Sequence, residues 1–159
     1  MIKILGLLVV FLSSTAVGIY TSNKVKNQLK QQQEVINFLV YIKNQIEFFN
    51  SPINDIYTSF DSKDNRVSSL AKNLCNKGWS LKNDDIAALS VTEKTKTYLV
   101  LFGEKLGKSN KTEQLSHCEY YLRIINDEYK LCEKNAPQKS KMSIVLGIYA
   151  GIMLIILFI

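Results

Sequence analysis

Three patterns of apolar residues divide this chain. At the C-terminal end, residues 144–159 read IVLGIYAGIMLIILFI, without a charge or a proline. A run that is apolar on every side does not suit a surface helix of a soluble domain. It covers about 24 Å as a helix, and Met142 and Ser143 extend it toward the roughly 30 Å of a hydrocarbon core. The pattern predicts a transmembrane helix over 142–159. At the other end, residues 4–20 (ILGLLVVFLSSTAVGIY) are also uncharged and mostly apolar. Two readings are open there. Lys3, the apolar stretch 4–12 and the small residues Ser14, Thr15 and Ala16 have the order of a cleaved secretory signal. The apolar character continues through Val17, Ile19 and Tyr20 with one lysine before it, which favours an uncleaved span over 1–20.

Between these ends, over 21–141, the period changes to that of amphipathic helices. Val25, Leu29, Ile36, Leu39, Ile42, Ile46 and Phe49 recur at steps of three and four, with Gln32 in the same stripe. No glycine or proline interrupts 21–51, so one long helix should continue out of the first apolar segment. Asn50, Ser51 and Pro52 read as its end and the start of a second helix carrying Ile53, Ile56, Tyr57 and Phe60. Residues 61–66 read as a polar loop. Val67, Leu70, Ala71 and Leu74 predict a third helix closed by Gly78, and Trp79 and Leu81 read as apolar anchors. Asn83 or Asp84 would cap a short helix through Ile86, Ala87 and Leu89. Thr92 should cap the next, with Glu93 in its first turn and Gly107 at its end. The run TYLVLF at 97–102 has strand propensity, but its helical neighbours favour helix. Ser109 should cap the last bundle helix. There Leu115, Cys118, Leu122, Ile125, Tyr129 and Cys132 form a seam like that of a coiled coil, and the helix ends before Pro137. The expected architecture is all-α: a bundle of about six helices, 21–141, flanked by two membrane helices.

The net charge of +6 changes the picture through its placement. Lys24, Lys26 and Lys30 follow the first apolar segment, and Lys134, Lys139 and Lys141 precede the second. This asymmetry puts the middle domain in the cytoplasm by the positive-inside rule, and it explains the basic balance without nucleic acid. Cys75, Cys118 and Cys132 are odd in number and widely spaced, and a cytoplasmic domain keeps thiols reduced. Cys118 and Cys132 read as small core residues.

Candidate chemistry is sparse. Gly103-Glu104-Lys105-Leu106-Gly107-Lys108-Ser109 approaches a phosphate-binding loop but has three residues between its glycines where that loop needs four. A turn between two helices explains it better. His117 is the single histidine and reads as a surface residue. Asp84 and Asp85 are adjacent and diverge on a helix. No nucleophile stands beside a base, so the chain reads as a non-enzyme without cofactor or metal. Gly147 and Gly151 form a GxxxG step, and Ser14 and Gly18 a looser one, faces that let helices approach closely in lipid.

Taken in order, these segments resemble the stage III sporulation protein AB family of endospore-forming bacteria. Lys3-Ile4-Leu5-Gly6 with Ser13 to Gly18 is similar to the family's start. Gln45-Ile46-Glu47 followed by Ser51-Pro52-Ile53 is similar to its glutamate and proline junction. The most specific segment is Phe102 to Ser109 with Gln114; Lys141, Leu146-Gly147-Ile148 and Gly151 match the ending. Asn110 departs from the aspartate expected after the serine. The resemblance implies a membrane component of the channel apparatus between mother cell and forespore. It also implies a soluble region similar to the cytoplasmic domain of type II secretion platform proteins. Such domains are scaffolds. This one would couple a secretion-type ATPase, the stage III sporulation protein AA, to other subunits of the complex. Glu47 and Glu104 are then expected as charged contacts, with Gly103, Gly107, Ser109 and Gln114 as a conformation-setting joint. A regulatory or sensory membrane protein with a partner-binding bundle is the alternative, and a nucleotide-binding protein using 103–109 a third.

Overall fold

The computed structural model describes residues 2–49, 60, 62, 64–77 and 86–158. Among these there are four α-helices and no strand: α1 (Ile2–Asn44), α2 (Asn65–Lys77), α3 (Glu93–Lys105) and α4 (Lys111–Phe158). A wider π-helical turn, Gln45–Phe49, closes α1. The expected cap at 50–52, the helix of Ile53, Ile56 and Tyr57, the turn at Gly78, the anchors Trp79 and Leu81, and the cap at Asn83 or Asp84 lie outside the described residues. The all-α expectation holds, with four of about six helices described.

The chain divides into two compact units. One comprises Met1–Asn27 with Cys132–Ile159, the other Gln28–Leu131. The division lies further from both termini than the sequence boundaries at 20 and 142.

The second unit is the bundle. Val35, Ile36, Phe38, Leu39 and Ile42 of α1 and Ile46 of the π-helical turn are buried with Val67, Leu70 and Ala71 of α2, Leu99 and Phe102 of α3, and Cys118 and Ile125 of α4. The stripe of Ile36, Leu39, Ile42 and Ile46 is the one the three-four period predicts. Val35 and Phe38 widen it, because α1 is packed on more than one side. Phe60 lies tilted against Phe38 and Tyr41 at ring distances of 4.8 and 5.3 Å.

Polar side chains pin the same core. Gln32 is fully buried, and its Nε2 donates to Thr95 Oγ1 on α3 at 3.1 Å. Among the described residues its Oε1 has no hydrogen-bond partner. Gln31 Nε2 donates to both Asp64 carboxylate oxygens at 3.0 Å, while its Oε1 accepts from the Ser90 backbone N–H. Asp64 Oδ1 in turn accepts from the Arg66 amide at 2.8 Å. It therefore caps α2, so 65 and 66 belong to the helix rather than to the loop expected at 61–66. At α3, Thr92 Oγ1 accepts from the Thr95 amide at 3.2 Å, as the cap pattern predicts, and 97–102 is helical.

The first unit is a pair of apolar helical segments. Ser14 Oγ donates to the Gly147 carbonyl at 2.6 Å, and the Ser22 and Ser140 hydroxyls are hydrogen-bonded to each other. Rising numbers on α1 thus meet falling numbers on α4, and the segments run antiparallel. A methyl carbon added at Gly18 would stand 2.8 Å from the Ser143 carbonyl oxygen, and one at Gly147 would stand 2.9 Å from that of Ser14. Only glycine lets these backbones meet.

The expected end of the last bundle helix is overturned. α4 does not end before Pro137 but continues through it. Proline in a helix interior removes one hydrogen bond and costs about 3 kcal/mol. Pro137 is exposed, so solvent can reach the backbone that its ring leaves without a helical bond. The helix is then held on the far side by the Ser140–Ser22 hydrogen bond.

Candidate functional site

The residues expected to form a joint are gathered where α3 turns into α4. α3 carries Gly103, which is buried, and the exposed Glu104. Leu106 follows in an extended conformation, almost fully buried. Gly107 then takes φ 77°, a left-handed conformation that favours glycine. Replacing Gly107 with valine should cost about 1–3 kcal/mol. That should lower the unfolding midpoint of the detergent-solubilised chain by roughly 5–15 °C in a thermal melt followed by circular dichroism.

The cap of α4 is Asn110, not Ser109. Asn110 Oδ1 accepts from the Glu113 amide at 2.9 Å, and its carbonyl accepts from the Gln114 amide at 2.9 Å. Ser109 contributes its carbonyl, which accepts from Gln114 Nε2 at 2.6 Å. Gln114 thereby folds back over the turn. The pattern asparagine-x-x-glutamate at 110–113 is itself a helix-start signal, and it was legible.

His117 is not a free surface residue. Its ring stacks on Phe102 at 5.4 Å and meets Tyr121 edge-on at 4.8 Å. Its Nε2 lies 2.9 Å from the Phe102 carbonyl; a carbonyl only accepts, so Nε2 carries the hydrogen. The interaction closes the joint across α3 and α4. No sequence spacing marks it, because the two residues come from different helices.

The π-helical end of α1 lies against the start of α4. Lys111 Nζ donates to the Glu47 carbonyl at 2.8 Å, while the Glu47 side chain is exposed. Lys43 Nζ pairs with Glu119 at 2.8 Å. The hydrogen bond to Lys43 holds the Glu119 carboxyl below its usual range, and the same bond raises Lys43. Glu119 is exposed, so salt screens the pair and it adds little to stability. A shallow depression of about 320 Å³ opens on the joint, lined by Lys105, Lys108, Ser109, Glu113 and His117. The structure thus gathers Gly103, Gly107, Ser109 and Gln114 into one joint and ties the Glu47 backbone to it, leaving the Glu47 and Glu104 carboxylates facing solvent.

The arrangement is not that of a phosphate loop. The segment 97–102 is helix, and Gly103, Glu104 and Lys105 lie inside α3, where their amides are engaged in the helix. Cys118 is fully buried, and burial pushes its thiol up to about 12. Maleimide should therefore modify Cys118 on the order of a thousandfold more slowly in the folded chain than in urea. Peptide mass spectrometry over time measures that ratio. Among the described residues no group of histidine, cysteine and carboxylate side chains has the grouping of a metal site.

In the helical pair, Ser14, Gly18, Gly147 and Gly151 lie along the contact between the two segments. A methyl carbon at Gly151 would meet the Phe11 ring at 3.0 Å, whereas one at Gly6 would meet nothing within 4 Å.

Fold and site define an all-helical protein with an α-helical bundle. Its C-terminal helix, alone among those described, is long and apolar enough to cross a membrane. The chain belongs to the stage III sporulation protein AB family, which matches it over residues 3–159; it is a sporulation-related protein. No curated protein and no solved structure matches the chain.

Proposed function

We propose that the chain is a non-enzymatic, membrane-anchored platform subunit of the sporulation channel complex between mother cell and forespore. In this reading both apolar ends span the membrane and the bundle stands in the mother-cell cytoplasm. The bundle meets a secretion-type ATPase, the stage III sporulation protein AA, and the helical pair meets other membrane subunits. Its work is binding, and it uses no cofactor.

The observation that carries the reading is the continuity of α4. One unbroken helix, Lys111–Phe158, holds core residues of the bundle and the apolar run. A subunit that links a cytoplasmic partner to membrane subunits needs both parts, and one helix of this chain supplies residues to each. The joint at the start of that helix supports the assignment of a contact face, with Glu47 and Glu104 as its exposed carboxylates and the Lys105–Lys108 depression between helices.

Capture of the ATPase by the tagged, detergent-solubilised chain tests this. Reversing both charges (Glu47→Lys with Glu104→Lys) should weaken capture about tenfold, and Glu93→Lys on the same bundle should leave it intact. No capture by the native chain would remove the ATPase as a direct partner. Single reporter cysteines in the bundle and at the C-terminal end, labelled with an impermeant maleimide in intact cells, test the topology separately. A labelled bundle would place it outside the cytoplasm.

A further inference from the structure

The hydrogen bonds of the helical pair set its levels. Ser22 meets Ser140, and Ser14 meets Gly147. Lys24 and Lys26 on one segment therefore lie within about 9 Å, along the axis, of the level of Lys139 and Lys141 on the other. Lys134 follows roughly two turns further from the apolar end. These five lysines face a single carboxylate in the described part of this unit, that of Glu133. Among the described residues none of the five is in an ion pair.

Lys134, Pro137, Gln138, Lys141, Met142 and Val145 line one depression of about 600 Å³ on α4. Their spacing of three and four puts them on one helix face. One end of that face is cationic. The other is apolar and open, with Met142 59 % and Val145 47 % exposed. A basic end and an apolar end on one strip, at the border between charged residues and an uncharged run, match an amphiphile with an anionic head.

We propose that this strip is a binding site for an anionic phospholipid. Lys134 and Lys141 hold the phosphate, Gln138 supplies a hydrogen-bond donor, and an acyl chain lies along Met142 and Val145. The proposal rests on the apolar run of α4 spanning a membrane. It is independent of any ATPase contact.

The full-length chain in phosphatidylcholine nanodiscs, with spin-labelled phosphatidylglycerol or spin-labelled phosphatidylcholine as probe, tests it by electron paramagnetic resonance. Phosphatidylglycerol should be immobilised in excess over phosphatidylcholine. The excess should fall on the order of fivefold for each lysine removed in Lys134→Gln and Lys141→Gln. The variant Lys94→Gln with Lys96→Gln, on the bundle, should keep it. Equal immobilisation of the two lipids by the native chain would overturn the site. So would an unchanged excess in the variant lacking Lys134 and Lys141, or an equal loss on Lys24→Gln with Lys26→Gln, which would mark a diffuse basic belt. Loss of the excess in millimolar inorganic phosphate would assign the strip to the free ion and overturn the lipid. Flotation of the same chain with lipid vesicles checks the span itself, so failure of the membrane reading shows there and not in the probe signal.

Discussion

Gly147→Ile should separate the two helices of the apolar pair. The test joins them with cysteines at Ser22 and Ser140, whose hydroxyls are hydrogen-bonded, in a background without the three native cysteines. Oxidation in membranes should close the disulfide readily in the parent. With isoleucine at 147 the yield should drop on the order of tenfold, the scale of an overpacked contact. The reason lies in what the side chain would meet. Its first carbon would come 2.9 Å from the Ser14 carbonyl oxygen and 3.1 Å from the Gly18 Cα. Both are backbone atoms, so no rotamer relieves the clash, and the opposing helix must move. Alanine at 147 meets the same atoms and should give an intermediate yield. Isoleucine at Gly6, where nothing lies within 4 Å, should leave the yield unchanged. An unchanged yield with isoleucine at 147 would mean that the glycine contact does not hold the pair together.

Leu39→Ala should have the largest effect in the bundle. Leu39 is fully buried in the core cluster. Truncating such a residue removes apolar burial and leaves a cavity, together worth about 2–5 kcal/mol. A domain of this kind is stable by roughly 5–15 kcal/mol in total, so the variant should unfold at markedly lower denaturant concentration. Chemical denaturation of the solubilised chain, followed by circular dichroism, measures the shift. The neighbouring Val40, 40 % exposed, is the control, and Val40→Ala should stay within about 0.5 kcal/mol of the parent. Equal shifts for the two variants would show that the core is not packed around α1 as described.

How much of this could be read beforehand depended on how local each cause was. Ile36, Leu39, Ile42 and Ile46 are buried at the period the sequence displays. Thr92 caps α3 and Gly107 turns left-handed, because cap chemistry and positive φ are decided within a few residues. Gly18 and Gly147 carry the small-residue signal where the backbones meet. Features decided at a distance were less visible. Val35 and Phe38 are buried because a second neighbour covers α1, which a one-stripe reading does not foresee. His117 is engaged by a carbonyl fifteen positions away on another helix. Pro137 stays helical at an exposed position, where the local rule says stop. Asp64 and Asn110 are different: their cap signals are local and present in the sequence, beside a polar stretch that reads as loop and a serine that competes for the cap.

Gln32 has one further consequence. It is a single amide set into the otherwise apolar stripe of α1, opposite Thr95. If α3 slid by one turn along α1, the leucines and isoleucines would find other apolar partners at small loss. The amide would not: it would be sealed among hydrocarbon with both of its polar atoms stranded. Gln32 therefore acts less as glue than as a key. It leaves the intended alignment with one orphaned oxygen and makes the misaligned ones more costly still, which gives a small bundle a single way to settle.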